Sequence, residues 1–432
     1  MHARTRELHG ALDAHAAGTG IAWLHPEHRT IQRDLFGSPA VVAWQEAKAS
    51  FLIGGDGAWS ELPHLYARYG TPGTAGLIAA LRQLEAARCA VVTDSGMQAV
   101  ALVADMLITR GAHAVVMRQV YNKTRTFFDW SARRVGATIT LVDDGDLGAL
   151  AAAITPATRL IFAETYTNPL MRAQDVAAIA ALVPRGRGAH LVIDSTIATP
   201  WAFRQPLLAQ GATIVIGSLT KALGGQDSAL GGYVATDDAE LCNAIMDLLA
   251  MRGGILDDAR ARHVLIGLPA ADRAHARRCA TATAVASFLA RHPRVERIHH
   301  PSRPDHPDAA IIARHYARTG SIVAFRVAGA DEPRHRHIAD VLVSCGVPRY
   351  ALSFDGLATK VNHHRTVSEY FTPPDVLARS GIDRLIRLGI GIEDADDLIA
   401  CLNWTLHHEA SISTADLDAW RASRAAELGV PI

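Results

Sequence analysis

The stretch VIGSLTKALGGQDSALGGYV, residues 215–234, decides how the rest of this chain is read. A β-branched run, Ile214 to Ile216, ends in Gly217-Ser218-Leu219-Thr220-Lys221, and two glycine pairs follow. A lysine at the end of a core strand either escapes to water along its methylene stem or is covalently occupied. The hydroxyls of Ser218 and Thr220, with glycines that let backbone come close, suit an anion. GxxxxGK[ST] is absent, which argues against a nucleoside triphosphatase. A lysine so placed can hold pyridoxal phosphate (PLP) as a Schiff base, with the ring acting as electron sink.

Outward from this stretch, short β-branched runs alternate with helical patterns between about residues 88 and 235. CAVVT (89–93), HAVVM (113–117), TITLV (138–142), RLIFA (159–163), HLVID (190–194) and TIVIG (213–217) read as strands. Met97, Val100, Ala101, Ala104, Leu107 and Ile108 recur at helical spacing between the first two. Such alternation predicts a mostly parallel sheet covered on both faces, with ligands at the carboxyl ends of its strands. Two further strand ends carry suitable groups. Asp194 closes HLVID, where a carboxylate can pair with a pyridinium nitrogen; alone it reads equally as a cap or turn residue. Thr93-Asp94-Ser95-Gly96-Met97 leads from a strand into a helix whose first amides would face a phosphate, or is an ordinary cap. Beyond residue 260, Ala/Arg-rich helices and the strand-like SIVAFRV (321–327) and LIRLGIGI (385–392) indicate a smaller α+β domain. The expected division is an N-terminal arm at 1–65, a PLP-binding large domain at 66–265 and a C-terminal domain at 266–432.

The 432 residues, 49% of them hydrophobic, can bury a large core. Lysine plus arginine and aspartate plus glutamate each number 43, so no net field favours nucleic acid or an anionic membrane. Five cysteines without CxxC spacing argue against a disulfide framework or structural zinc. The polar N-terminus and the lack of a long apolar run indicate a cytoplasmic protein. The His-rich stretch 299–315 lacks the paired spacing of a metal site and reads as surface loop; no metal is expected.

YARYGTP, SGMQA, ETYTNP, VIDSTIATP, GSLTKALGG and RLIRLGIGIEDADDLI, in this order and spacing, resemble the PLP enzymes of cysteine and methionine metabolism. These include cystathionine γ-synthase, cystathionine γ-lyase, methionine γ-lyase and the O-acylhomoserine sulfhydrylases, and the resemblance runs from Tyr66 to Leu402. It implies the fold type I of PLP-dependent transferases (aspartate aminotransferase-like), with a mostly parallel seven-stranded sheet. It implies an internal aldimine on Lys221, which moves protons between Cα and Cγ, with Asp194 on the pyridine nitrogen. Ser95, Gly96, Met97, Thr196, Ser218 and Thr220 would help bind the cofactor. Tyr66 and Arg68 would reach the phosphate of a neighbouring subunit, making the active unit at least a dimer and usually a tetramer, a dimer of dimers. Tyr121 would stack on the ring and assist the leaving group, Asn168 would lie near the phenolic oxygen, and Arg387 with Ser353 would clamp the substrate α-carboxylate. The implied activity is γ-elimination or γ-replacement on a γ-substituted L-amino acid, the small-molecule partner.

Several positions depart from the family pattern. Ser195 replaces an asparagine, Thr71-Pro72-Gly73 replaces Asn-Pro-Thr, and Asn122-Lys123 follow Tyr121 in place of a small pair. Lys123 would put a cation near the substrate's distal end, unless it simply points to solvent. Leu352 stands where cystathionine-handling members place a glutamate, which disfavours cystathionine. A specialised member is the reading these departures support. Three other readings compete with it: β-elimination at a C–S bond by the same family, a non-catalytic PLP-binding protein, and an NAD-dependent dehydrogenase. The dehydrogenase lacks its GxGxxG.

Overall fold

The computed structural model describes residues 67–184, 186, 188–370 and 372–429. The arm expected at 1–65, and Tyr66, lie outside these described residues.

Seven strands form the larger sheet: β1 (Cys89–Thr93), β2 (His113–Met117), β3 (Thr138–Val142), β4 (Thr158–Glu164), β5 (His190–Asp194), β6 (Ile214–Ser218) and β7 (Gly232–Thr236). Their order is β1-β7-β6-β5-β4-β2-β3. The five strands from β6 to β3 run parallel, and β7 pairs antiparallel with both β6 and β1. Leu160 to Phe162, Leu191 to Ile193 and Ile214 to Ile216 are all buried. Strands covered on both faces need continuous apolar runs rather than alternation, which is why their sequences stood out. The Gly232 strand did not stand out, because its glycines read as turn.

The covering helices are α1 (Pro72–Glu85), α2 (Gly96–Leu107), α3 (Asn122–Val135), α4 (Leu147–Ala153), α5 (Val176–Leu182), α6 (Ala239–Arg252) and the long α7 (Asp258–Arg291). One core gathers side chains of α2 to α6 against the sheet. A second core packs Leu77 and Leu81 of α1 and Ala261, Val264 and Leu268 of α7 against Leu219, Leu223 and Tyr233. Thr71 caps α1 through a reciprocal box with Thr74, ahead of Pro72 in the first turn.

The smaller sheet has the order β10-β11-β12-β9-β8, from β8 (Val295–His299), β9 (Ile322–Val327), β10 (Arg349–Tyr350), β11 (Lys360–His363) and β12 (Ile386–Gly389). Its helices are α8 (Ala309–His315), α9 (Glu332–Ser344), α10 (His364–Val367), α11 (Pro374–Ser380), α12 (Ala395–His408) and α13 (Thr414–Leu428). The far half of α7 supplies Ala282, Val285, Ala286 and Leu289 to this domain's core. The expected division at 265/266 therefore falls within one helix that serves both cores.

Two sequence expectations change. The His-rich stretch is not surface loop throughout: His300 and His306 are buried, bonded to Ser302 Oγ and the Met171 carbonyl at 2.7 and 3.1 Å. Burial pushes His300 down to about 3, so it is a neutral packing group. Cys89 of β1 and Cys242 of α6 form a disulfide, with Cα atoms 6.3 Å apart, within the usual span. A separation of 153 residues carries no spacing signature. Among the described residues, no helix is long and apolar enough to cross a membrane.

Candidate active site

The carboxyl ends of β4, β5 and β6 open into a cavity of about 490 Å³, closed on its far side by the smaller domain. After β6 the chain enters a tight irregular turn, Leu219–Leu223, in which Lys221 has φ −94° and ψ −134°. The break leaves Lys221 out of helical register and turns it into the cavity. Gly224 N–H donates to the Leu219 carbonyl and Gly225 N–H to that of Lys221, each at 2.8 Å. Gly225 does so at φ +64°, a conformation that favours glycine. Lys221 Nζ donates to Ser353 Oγ at 2.7 Å. Burial lowers its pKa to about 8, so a neutral amine is within reach near physiological pH.

Asp194 ends β5, and its carboxylate accepts from Thr196 N–H at 2.8 Å. Thr196 Oγ1 in turn accepts from Ser218 N–H at 2.9 Å, tying the ends of β5 and β6 together. Burial raises Asp194, and no basic side chain of the described residues is ion-paired with it. Beside it in register lies Glu164, the last residue of β4. Burial, and next the charge of Asp194, raise Glu164 well above the carboxylate range. Two adjoining buried carboxyls, offset only weakly by the Arg125 charge, share the cost of one negative charge. A cationic ring nitrogen would offset it.

Across the cavity, Ser95 caps α2 by accepting from Gln98 N–H at 3.3 Å. Gly96 starts that helix where a Cβ would lie 2.9 Å from Ser218 Cβ, so only glycine lets α2 meet the end of β6 this closely. Gly96, Met97, Ser218 and Thr220 all line the cavity. The first-turn amides of α2 and the two hydroxyls form an anion cradle.

The remaining wall comes from segments farther along the chain. Arg387 of β12 is 1% exposed, and burial lowers its pKa to about 10. Its Nη2 donates to the Leu352 and Ser353 carbonyls, both at 3.1 Å, and its Nη1 to Asn168 Oδ1 at 3.3 Å. Its Nε has no partner. A buried guanidinium held by neutral oxygens has unspent capacity for a carboxylate. Asn168, expected beside the cofactor ring, is here tied to this arginine. Ser353, expected only at the substrate carboxylate, bridges the arginine and the lysine.

Tyr121 is 47% exposed, lines the cavity and donates its N–H to Glu164 Oε1 at 2.5 Å. Lys123 is exposed at the cavity edge. Arg68 is exposed, sits over the Tyr69 ring at 5.5 Å and does not line this cavity. Glu164, Asn122, His364 and Glu369 also line it, and sequence reasoning did not select them. Burial holds His364 neutral, down to about 3, and its Nδ1 has no partner. Glu164 opens the ETYTNP segment, which was the one available signal. Among the described residues, no three His, Cys, Asp or Glu gather in a way that could hold a metal.

The profile of the Cys/Met metabolism PLP-dependent enzymes matches residues 44–407. The chain belongs to this family. It is 34% identical over 343 residues to an O-succinylhomoserine sulfhydrylase of Pseudomonas aeruginosa, covering 79% of this chain and 83% of that one. An L-methionine gamma-lyase of Fusobacterium nucleatum subsp. polymorphum is 28% identical over 382 residues, covering 87% and 95%. Among solved structures, cystathionine gamma synthase from Xanthomonas oryzae pv. oryzae, in complex with cystathionine, superposes with TM-score 0.76 at 29% identity, covering 82% of this chain and 90% of that one. The fold is therefore that of a PLP-dependent enzyme of the transsulfuration type, as the motifs implied.

Proposed function

We propose that this chain catalyses elimination or replacement at Cγ of a γ-substituted L-amino acid, at a site completed by a second copy of the chain. The observation that carries the proposal is the convergence of Lys221 and Arg387 on one short segment. Ser353 touches both, and the Phe354 ring lies 5.0 Å from Lys221 Nζ and 5.8 Å from the Arg387 guanidinium carbon. One α-amino acid can engage both groups.

Bound in the cradle, pyridoxal phosphate supplies an electron sink for negative charge at Cα. The residues do the rest. Arg387 binds the α-carboxylate through its fork. Lys221 Nζ holds the cofactor aldehyde and, once released, takes the proton at Cα and moves protons at Cβ and Cγ, for which a pKa near 8 is suited. Asp194 keeps the ring nitrogen charged, Ser218, Thr220 and the start of α2 hold the phosphate, and Tyr121 faces the leaving group. The relatives named for O-succinylhomoserine and methionine support a γ-oxygen or γ-sulfur substituent.

Exposed apolar side chains, Leu230, Leu352 and Tyr370, gather at the cavity mouth at 57%, 69% and 70% exposure. Such a rim supports burial by a second subunit, whose Tyr66 and Arg68 would then reach the phosphate end. Mass spectrometry of products from O-acylhomoserines, methionine and homocysteine, each with and without an added thiol, tests the reaction. A four-carbon 2-oxo acid or a γ-substituted product is expected. The absence of both from every one of these substrates would overturn the assignment to Cγ.

A further inference from the structure

One group beside the site has no role in the reaction as described. Asp355 follows the Ser353-Phe354 pair, is 1% exposed and has φ +61°. Ser321 Oγ donates to its Oδ1, and its Oδ2 has no partner. A buried carboxylate with an empty oxygen, held in a left-handed conformation, is costly unless cations share it. Four surround it. Lys221 comes from the turn after β6, Arg387 from β12, Lys360 from β11 and Arg278 from α7, with the Cys279 thiol beside Arg278. Arg278 is fully buried and donates to the Gly356 and Gly225 carbonyls at 3.0 and 2.7 Å, clamping the segment from behind. Lys360 is ion-paired with Asp227. Burial pushes the Asp355 carboxyl up, while Arg278, Ser321, Lys221 and Lys360 pull it back down. Arg387 and Lys221 are the two cations that the proposed reaction uses, and for each of them Asp355 is the foremost charge favouring the protonated form.

We propose that Asp355 is a positioning residue that acts as the shared buried counter-charge of Lys221 and Arg387, with Lys360 as its opposing cation. This rests on the reading of Lys221 as the cofactor lysine. The carboxylate stabilises positive charge on the lysine nitrogen, and Lys360 destabilises it. Alongside burial and Arg387, the two shift in opposite directions the pH at which the loaded enzyme's nitrogen loses its proton.

The test is a pH titration of the visible absorbance of PLP-loaded enzyme, comparing the unaltered protein with Asp355→Asn and Lys360→Met. Asp355→Asn is expected to lower the midpoint by about one pH unit, the size that a neighbouring buried charge commonly produces. Lys360→Met is expected to raise it. Opposite shifts are an electrostatic signature that loosened packing would not give. An unchanged midpoint in Asp355→Asn, or movement of both variants in one direction, overturns the proposal. If Asp355→Asn fails to fold, Lys360→Met alone decides: a midpoint that stays or falls overturns it. An unaltered enzyme that takes up no visible chromophore from pyridoxal phosphate would instead refute the cofactor lysine itself.

Discussion

The two walls of the cavity were built by different means. The large-sheet wall consists of strand ends: Glu164, Asp194 and Ser218 close three adjacent parallel strands, and their side chains are placed by the register of the sheet. The small-domain wall consists of Arg387 and the run from Leu352 to Tyr370, in which turns flank the short β11 and α10 and whose start is held by carbonyl contacts to Arg387. Parallel register permits little freedom, so the first wall can keep the cofactor fixed. The second wall, made largely of turns, can vary from one family member to another without disturbing the sheet. Under the proposed function, cofactor chemistry belongs to the first wall and substrate choice to the second.

Substitutions on each side should separate these roles. The largest effect is expected from Lys221→Ala, a loss of turnover of about a thousandfold or more, because both the cofactor attachment and the proton carrier go. Steady-state rates with a γ-substituted amino acid measure it. Arg387→Ala should lower kcat/KM about a hundredfold, the cost of leaving one buried charge without its partner, while cofactor absorbance persists. If the absorbance vanished as well, the division between the two walls would fail.

The rate of cofactor loading onto apo-enzyme should rise with pH and level off above about pH 8. Only the neutral amine attacks the aldehyde, and burial lowers its pKa from 10.5 to about 8. A rise that continues past pH 10 would mean a water-exposed lysine. The smallest effect is expected from Glu369→Gln on the variable wall: about a fivefold change in KM for a substrate with a polar γ-substituent, the worth of one hydrogen bond, with kcat for small substrates unchanged.

The same division explains what could be read in the sequence. Six strands of the large sheet were legible because each is a short β-branched run, continuous and apolar where both faces of the sheet are covered. Lys221, Asp194 and the Ser95-Gly96-Met97 turn were legible because each follows such a run. Glu164 was not: an acid ending RLIFAE gives no sign that its neighbour across the sheet is another acid. Asp355 and Glu369 were hidden because they sit in irregular backbone, and His364 because its helix α10 is only four residues long; in such places a polar residue reads as exposed although all three are buried. His300 and His306 misled for the same reason, and the Cys89–Cys242 pairing joins segments that only the fold brings together. Arg387 was legible as an arginine inside an apolar strand, but its bond to Asn168 depends on tertiary approach.

The central claim is that the amine of Lys221 carries the cofactor, and borohydride reduction followed by peptide mass spectrometry tests it most directly. The account predicts a single pyridoxyl-phosphate adduct on the peptide containing Lys221. An adduct on another lysine, or none on a protein incubated with pyridoxal phosphate, would contradict it.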